Sequence, residues 1–269
     1  MGKKKNLKGI DDFDMEFINE KLGKTTVTDY MSPDEMISAT CLKALNYKLD
    51  IKCKNEKQKE FLKNLKDKKH QICFASGAAG AGKSYISLAF ALHELKDGGS
   101  PYDKIIIIIP TCPAGNMDIG LLKGTYEDKI RPYLEADTYT MEKIMKHSGN
   151  GAPTDVVRGL INSNYIDYQL VNFARGKTFD NCIVLINEAE NYSREEMLLL
   201  LTRMGENSKF IISGDPMQKD RKDLKKNGDG LTYAIDHLKD LEETGVTIFT
   251  NEDIVRNPLI TKILENWNK

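Results

Sequence analysis

The residues that could do chemistry begin with GAAGAGKS, Gly77 to Ser84. It fits the spacing G-x-x-x-x-G-K-[ST], follows an apolar run and opens a helical pattern, the setting in which such a loop cradles phosphates. Glycines let successive amides turn toward one point and keep side chains out of a phosphate's way. The helix amino end adds positive potential. Lys83 places a charge on the outer phosphates, and the Ser84 hydroxyl can coordinate magnesium. The expected nucleotide-binding set is therefore Gly77, Ala78, Ala79, Gly80, Ala81, Gly82, Lys83, Ser84 and the adjoining Tyr85.

Two later strand ends carry polar groups. IVLINEAEN, Ile183 to Asn191, puts Asn187 and Glu188 directly after an apolar run. A magnesium nucleotide site usually has Asp then Glu in this frame, the first for the metal and the second for the attacking water. Asn187 is the expected metal-side residue here and Glu188 the water-side one. ISGDPMQ ends a further apolar run with Asp215 and Gln218, and Gln218 can hydrogen-bond the outer phosphate or the water. In a parallel sheet these strand ends share one edge with the phosphate loop. Gln58, upstream of the loop, has an amide able to pair with both the donor and the acceptor of an adenine edge, although a lone glutamine on a helix is ordinarily just solvated. Arg256, in NEDIVRNPL, supplies a planar cation for the charge that develops in phosphoryl transfer. Arg203 and Arg131 compete for that role, and any one arginine can equally be a surface ion pair.

The elements that must position these groups alternate. Apolar runs at QICFA, KIIIIIP, YQLVNF, CIVLIN, KFIIS and VTIF alternate with helical patterns such as KSYISLAFALHEL, SREEMLLLLTRM and NPLITKILENW. Ser193 caps the second of these helices and Glu196 boxes it, while Pro258 opens the third. Several runs are apolar on consecutive residues, which means burial on both faces and a mainly parallel sheet between helix layers, an α/β fold. HSGNGAPTD reads as a loop, and the rest of residues 116–164 as helices on one side of the sheet. Residues 1–50 read as a short helical extension, with Ser32, Pro33 and Glu35 marking a helix start; residues 51–269 read as the main domain.

Composition narrows the partners. The 269 residues carry 39 basic and 40 acidic side chains, so any polyanion site must be local. No apolar run approaches the 18 or so residues of a membrane span. The basic start lacks an apolar signal core and has Asn6 where a myristoylation signal wants Ser or Thr. Five scattered cysteines without a C-x-x-C pair and four lone histidines point to a reduced, cytoplasmic protein without structural zinc.

These segments together carry a resemblance. NEKQ, GAAGAGKS, PTCPAGN, ARGKTFDNCIVLINEAEN, EEMLLLLTRMGENSKFIISGD and EDIVRNPLI resemble, in order, the PhoH family of ATPases related to superfamily-one helicases. The resemblance covers roughly residues 54–267. It implies a single RecA-like P-loop ATPase core, ATP and Mg2+ as ligands, and a link to RNA. It strengthens the adenine reading of Gln58. Some relatives are fused to a PIN-type nuclease, for which this chain has no expected counterpart. Short, solitary PhoH-like proteins are frequent in bacteriophages, which fits a phage origin.

Two departures from the family pattern matter. Asn187 stands where the family has Asp, and Cys112 where it has Arg before the proline of PTCPAGN. The first removes a charge from the metal site, which leads to the expectation of slow hydrolysis. The second removes a cation from a turn that faces the strand in related helicases. Thr111, Arg175, Lys177, Arg221 and Lys222 remain as candidates for a single-stranded nucleic acid, RNA foremost. Flexible basic loops can track a backbone while the aromatics of FARGKTF stack bases. A nucleotide-switched assembly protein that barely hydrolyses is the alternative expectation. One RecA-like domain lacks the second wall that helicases use, so a head-to-tail homo-oligomer, a hexamer by the family likeness, is expected to complete the site.

Overall fold

The computed structural model describes residues 51–95, 100–110, 126–147 and 153–255, with isolated positions 259 and 266 beyond them. The extension read over residues 1–50, the PTCPAGN turn with Thr111 and Cys112, Arg256, and the NPLITKILENW helix apart from Leu259 and Asn266 lie outside the described residues.

The six apolar runs form the six strands of one parallel sheet: β1 (Ile72–Gly77), β2 (Lys104–Ile109), β3 (Ile166–Leu170), β4 (Cys182–Ile186), β5 (Lys209–Gly214) and β6 (Thr244–Phe249). Their order is β3-β2-β4-β5-β1-β6. Every neighbouring pair is parallel. Consecutive residues of the central strands go to opposite cores. Ile105, Ile107 and Ile109 of β2 pack with Ile183 and Leu185 of β4 on one face. Ile106 and Ile108 pack with Val184 and Ile186 on the other. This is why those runs are apolar without alternation.

Helices cover both faces. On the first lie α1 (Glu56–Lys66), α2 (Lys83–Leu95), α3 (Tyr126–His147) and α4 (Pro153–Asn162). They bury Phe61, Leu88, Met141 and Val157 against the sheet. On the second face α5 (Arg194–Leu201) and α7 (Gly230–Leu238) bury Met197 and Leu231. The short α6 (Lys222–Asn227) precedes α7. Local signals set the ends. Ser193 accepts from the Glu196 amide, and the Glu196 carboxylate accepts from the Ser193 amide at 2.7 Å, the expected capping box of α5. Asn55 caps α1 by accepting from the Gln58 amide at 2.8 Å. The Lys209 ammonium, buried at the start of β5, closes the other end of α1 on the carbonyls of Leu65 and Asp67 at 2.7 and 2.9 Å.

Three expectations need correction. Within HSGNGAPTD, the residues from Pro153 onward are helix α4, because proline suits a first helical turn and Asp155 favours a helix amino end. In YQLVNF the strand stops at Leu170, and Val171–Ala174 coil into a 3-10 turn that buries Val171 and Ala174 in the second core. The basic stretch after Gln218, read as a flexible loop, contains helix α6.

Candidate nucleotide site

Parallel register brings the polar strand ends together. Ser76 pairs with Gly214 across β1 and β5, and Gly77 with Phe249 across β1 and β6. Ile186 pairs with Ile212 across β4 and β5, so the next residues outward, Asn187 and Ser213, meet beyond the ladder. The loop after β1, the acidic turn after β4 and the Gln218 turn after β5 therefore share one edge, as expected.

The phosphate loop has the backbone its glycines permit. Gly77, Gly80 and Gly82 have φ of 122°, 85° and 90°. A Cβ on Gly77 would overlap the Phe249 carbonyl, a backbone atom that cannot step aside. Glycine is thus required there by both angle and space. Lys83 is buried and lies back on the loop, its ammonium donating to the carbonyls of Gly77 and Ala78. Ser84 is exposed at the start of α2. Tyr85, grouped with the nucleotide set, packs its ring partly against the helix-side core.

Gln58 is 3% exposed beside the loop. Its carbonyl oxygen accepts from the Lys54 amide at 2.7 Å and its NH2 donates to the Ala81 carbonyl at 2.8 Å. It thus braces the phosphate loop, leaving one lone pair and one proton for an adenine edge. The chain ahead of Arg256 is tied to the same loop and to the cap of α1. The Val255 amide donates to the Gly80 carbonyl at 3.2 Å, and Asn55 Nδ2 donates to the Asp253 carbonyl at 3.0 Å.

Asn187 is half-buried, and its Oδ1 accepts from the Ser213 hydroxyl at 2.9 Å. Glu188 adopts the left-handed conformation, φ 51° and ψ 42°, uncommon for a residue with a long side chain. Strain of this kind collects at active sites and ligand clamps. The next three residues coil into a 3-10 turn that drops Ala189, Glu190 and Asn191 into the protein. Glu188 is exposed to water, with protein atoms around its carboxyl. That partial desolvation, and secondarily Asp220, raises its carboxyl above the ordinary glutamate range. Burial pushes the Glu190 carboxyl up to about 7 against the lowering effect of its backbone hydrogen bonds. Burial likewise pushes Asp137, on α3, up to about 7, with the Glu188 charge adding to it.

Gln218 is exposed on a 3-10 turn, Pro216–Gln218, capped by Asp215. Its Nε2 donates to Asp215 Oδ2 at 3.1 Å. Among the described residues no group of three His, Cys, Asp or Glu side chains could hold a metal alone. A magnesium ion here would need the nucleotide's phosphates as further ligands, with Ser84 and Asn187 beside them. That arrangement suits this small cation, which is commonly held by few protein groups plus phosphate.

The remaining candidates separate. Arg203 donates to the Lys177 carbonyl and the Thr202 hydroxyl of its own chain. Arg131 projects from α3 and is exposed. Arg175 is exposed beside Phe173, which is 55% exposed, whereas Phe179 is buried and packs on Phe210. Of the two aromatics expected to stack bases, Phe179 is therefore taken up by the core. Lys177 Nζ donates to Gln169 Oε1 at 3.0 Å. Arg221 is not turned out toward a ligand. Its guanidinium bonds Glu196 at 2.7 Å and Asp223 at 2.8 Å, because the box glutamate of α5 offers a second lone pair just where Arg221 passes. The side chain of Lys222 lies outside the described residues.

Sequence reasoning left Ser213, Glu190 and Asp137 unassigned and gave Asp215 no role of its own. A hydroxyl and a carboxylate flanking the glycine of ISGD were the available signal for Ser213 and Asp215. Asp137 lies inside a helix, with no strand end to mark it.

Comparison with known proteins agrees with this geometry. The profile of the family described as PhoH-like protein matches residues 50–268. The chain is 32% identical to the PhoH-like protein of Bacillus subtilis (strain 168) over 219 residues, 81% of this chain and 64% of that one. It is 32% identical to Protein PhoH of Escherichia coli (strain K12) over 221 residues, 81% of this chain and 58% of that one. It is 30% identical to a PhoH-like protein of Mycobacterium tuberculosis (strain ATCC 25618 / H37Rv) over 196 residues, 73% and 52% of the two chains. The chain thus spans about half to two thirds of the length of these relatives. With the phosphate loop, the Glu188 strand end and the Gln218 turn on one sheet edge, the chain belongs to the PhoH family of P-loop ATPases.

Proposed function

We propose that this protein is a slow, magnesium-dependent ATPase that acts on single-stranded nucleic acid, RNA foremost, as a helicase-like remodeller. The observation that carries the ATPase reading is the convergence of Lys83, Glu188 and Gln218 on one edge, with Glu188 held in a left-handed conformation. Magnesium bound with ATP would neutralise phosphate charge and orient the outer phosphate. The chain's own residues do the rest. Loop amides and Lys83 hold the phosphates, and Ser84 and Asn187 are the residues that would hold the metal. The Glu188 carboxylate takes the proton of the attacking water, and Gln218 orients that water.

The nucleic-acid part rests on exposed Phe173 and Arg175 at the carboxyl end of β3, an aromatic next to a cation. A homo-oligomer, a hexameric ring, supplies a second wall for the site, with Arg203 or Arg131 donated between subunits and Arg256 kept for a contact within its own chain. Light scattering with and without ATP tests this, and a monomer whose specific ATPase rate ignores protein concentration contradicts it. The cytoplasm is the proposed compartment; among the described residues no helix is long and apolar enough to cross a membrane.

A second reading has an observation in its favour. The Asn187 oxygen is engaged by Ser213, which leaves the amide nitrogen, a donor, for the metal side. A nucleotide-switched assembly protein with little hydrolysis fits that arrangement. Phosphate release measured with and without single-stranded RNA and DNA separates the two. Stimulation by RNA supports the remodeller, and a rate indifferent to both supports the switch.

A further inference from the structure

Three donors from two different turns converge on one carboxylate. Asp215 Oδ2 accepts from the Ala79 amide of the phosphate loop at 3.0 Å and from Gln218 Nε2 at 3.1 Å. Asp215 Oδ1 accepts from the Met217 amide at 3.0 Å. The Asp215 amide in turn donates to Glu190 Oε2 at 2.9 Å, in the turn after β4. Asp215 is 8% exposed, so water does not stand in for these partners. The pairing of Ser76 with Gly214 sets Asp215 beside the loop.

The chemistry selects aspartate. An ionised carboxylate is acceptor-only and can take all three donors on two oxygens. An asparagine of the same shape has one acceptor oxygen and would press an NH2 against a donor. Gly214 is fitted to the same contact, because a Cβ there would overlap Glu190 Oε2.

Resting on the ATPase reading, we infer that Asp215 is a positioning residue that ties the phosphate loop to Gln218, so that the loop and the glutamine read the outer phosphate as one unit. Asp215 touches neither nucleotide nor water in this role. It acts by holding the Ala79 end of the loop and the Gln218 amide at a fixed separation. Gln218 is otherwise on an exposed turn, beside Met217, which is 90% exposed. Among the described residues, what remains to hold it without the tie is the turn's own backbone bond, Gln218 amide to Asp215 carbonyl at 2.8 Å.

The test uses the full chain and the isosteric Asp215→Asn variant. Hydrogen exchange resolved at single amides is measured without nucleotide. Loss of a hydrogen bond to a charged acceptor should speed exchange at Ala79 by about 10-fold or more while the strand amides hold. Competition with a fluorescent nucleotide then gives the preference for ATP over ADP in wild type, Asp215→Asn, Gln218→Ala and the double variant. Asp215→Asn should cut that preference by about the same factor as Gln218→Ala, about 10-fold, and the double variant should lose no more than either single. Unchanged exchange at Ala79 overturns the inference. So do losses that multiply in the double variant, and so does a rise in ATP preference, which would mean that the carboxylate competes with phosphate for the Ala79 amide. Exchange that quickens throughout the sheet would make Asp215 a residue of the fold and also overturn it. A wild type that binds neither nucleotide refutes the ATPase reading instead, and the exchange at Ala79 still decides whether the tie exists.

Discussion

Replacing Asn187 with aspartate probes the metal side of the site most sharply. Ser213 donates to Asn187 Oδ1 at 2.9 Å, and an aspartate keeps that bond with one oxygen. Its second oxygen replaces the amide nitrogen, so a donor becomes a charged acceptor with little change of shape. The position is half-buried and adjoins Glu188, with Glu190 buried below. Without metal, the added charge is partly desolvated and adjoins Glu188 in sequence, both of which disfavour it. With magnesium, the charge gains a charge-assisted contact of about 1–3 kcal/mol. That corresponds to roughly five- to 150-fold in the step that feels it. Asn187→Asp should therefore melt lower than wild type in a chelator. It should bind magnesium nucleotide more tightly and turn over faster when magnesium is limiting. Phosphate release titrated against magnesium, with melting curves in chelator and in magnesium plus ATP, is the assay. A turnover at limiting magnesium that is unchanged or lower would refute the reasoning and show a site rebuilt around the amide.

Three further outcomes follow from the contacts. Lys83→Ala should weaken binding of a fluorescent ATP analogue by at least about 100-fold, since the ammonium is the one loop side chain that brings charge to the phosphates; near-normal binding would contradict that role. Gly77→Ala should cost more than about 3 kcal/mol in urea unfolding, because it joins a φ of 122° to an overlap with the Phe249 carbonyl; a loss under 1 kcal/mol would mean that the β1–β6 edge yields. The Glu190 carboxyl is raised from 4.5 to about 7, so the stability linked to its neutral form is complete below the unfolded value and is lost as pH rises through the folded one. Glu190→Gln, whose carbonyl oxygen can still accept from the Asp215 amide, should therefore gain on wild type between about pH 4.5 and 7, by at most about 3 kcal/mol. Urea midpoints that keep a constant separation across that range would refute it.

The sheet and its edge were legible because their signals are local. Runs such as KIIIIIP are apolar on both faces only when helices cover both, and a parallel sheet then puts every strand's carboxyl end on one side. The glycines at 77 and 82 and the Ser193–Glu196 box are likewise written in a few adjacent residues. What could not be read was the choice between partners distant in sequence. Arg221 looks like a cation for phosphate until α5 brings Glu196 to it. Gln58 looks like an adenine reader, and folding spends half of its hydrogen-bonding capacity on Lys54 and Ala81. Asp215 sits in a weak string, and its role shows only when β1 and β5 lie side by side. Asp137 reaches the neighbourhood of Glu188 through the packing of a helix whose sequence has no strand-end marker.

The central claim is that this edge binds ATP and that Glu188 acts on water. The most direct measurement sets ATP binding beside phosphate release in wild type and Glu188→Gln. Glu188→Gln should keep ATP affinity within a few-fold of wild type and lose at least about 100-fold in phosphate release, because the carboxylate serves the reaction and not the ground state. Undiminished phosphate release from Glu188→Gln would contradict it.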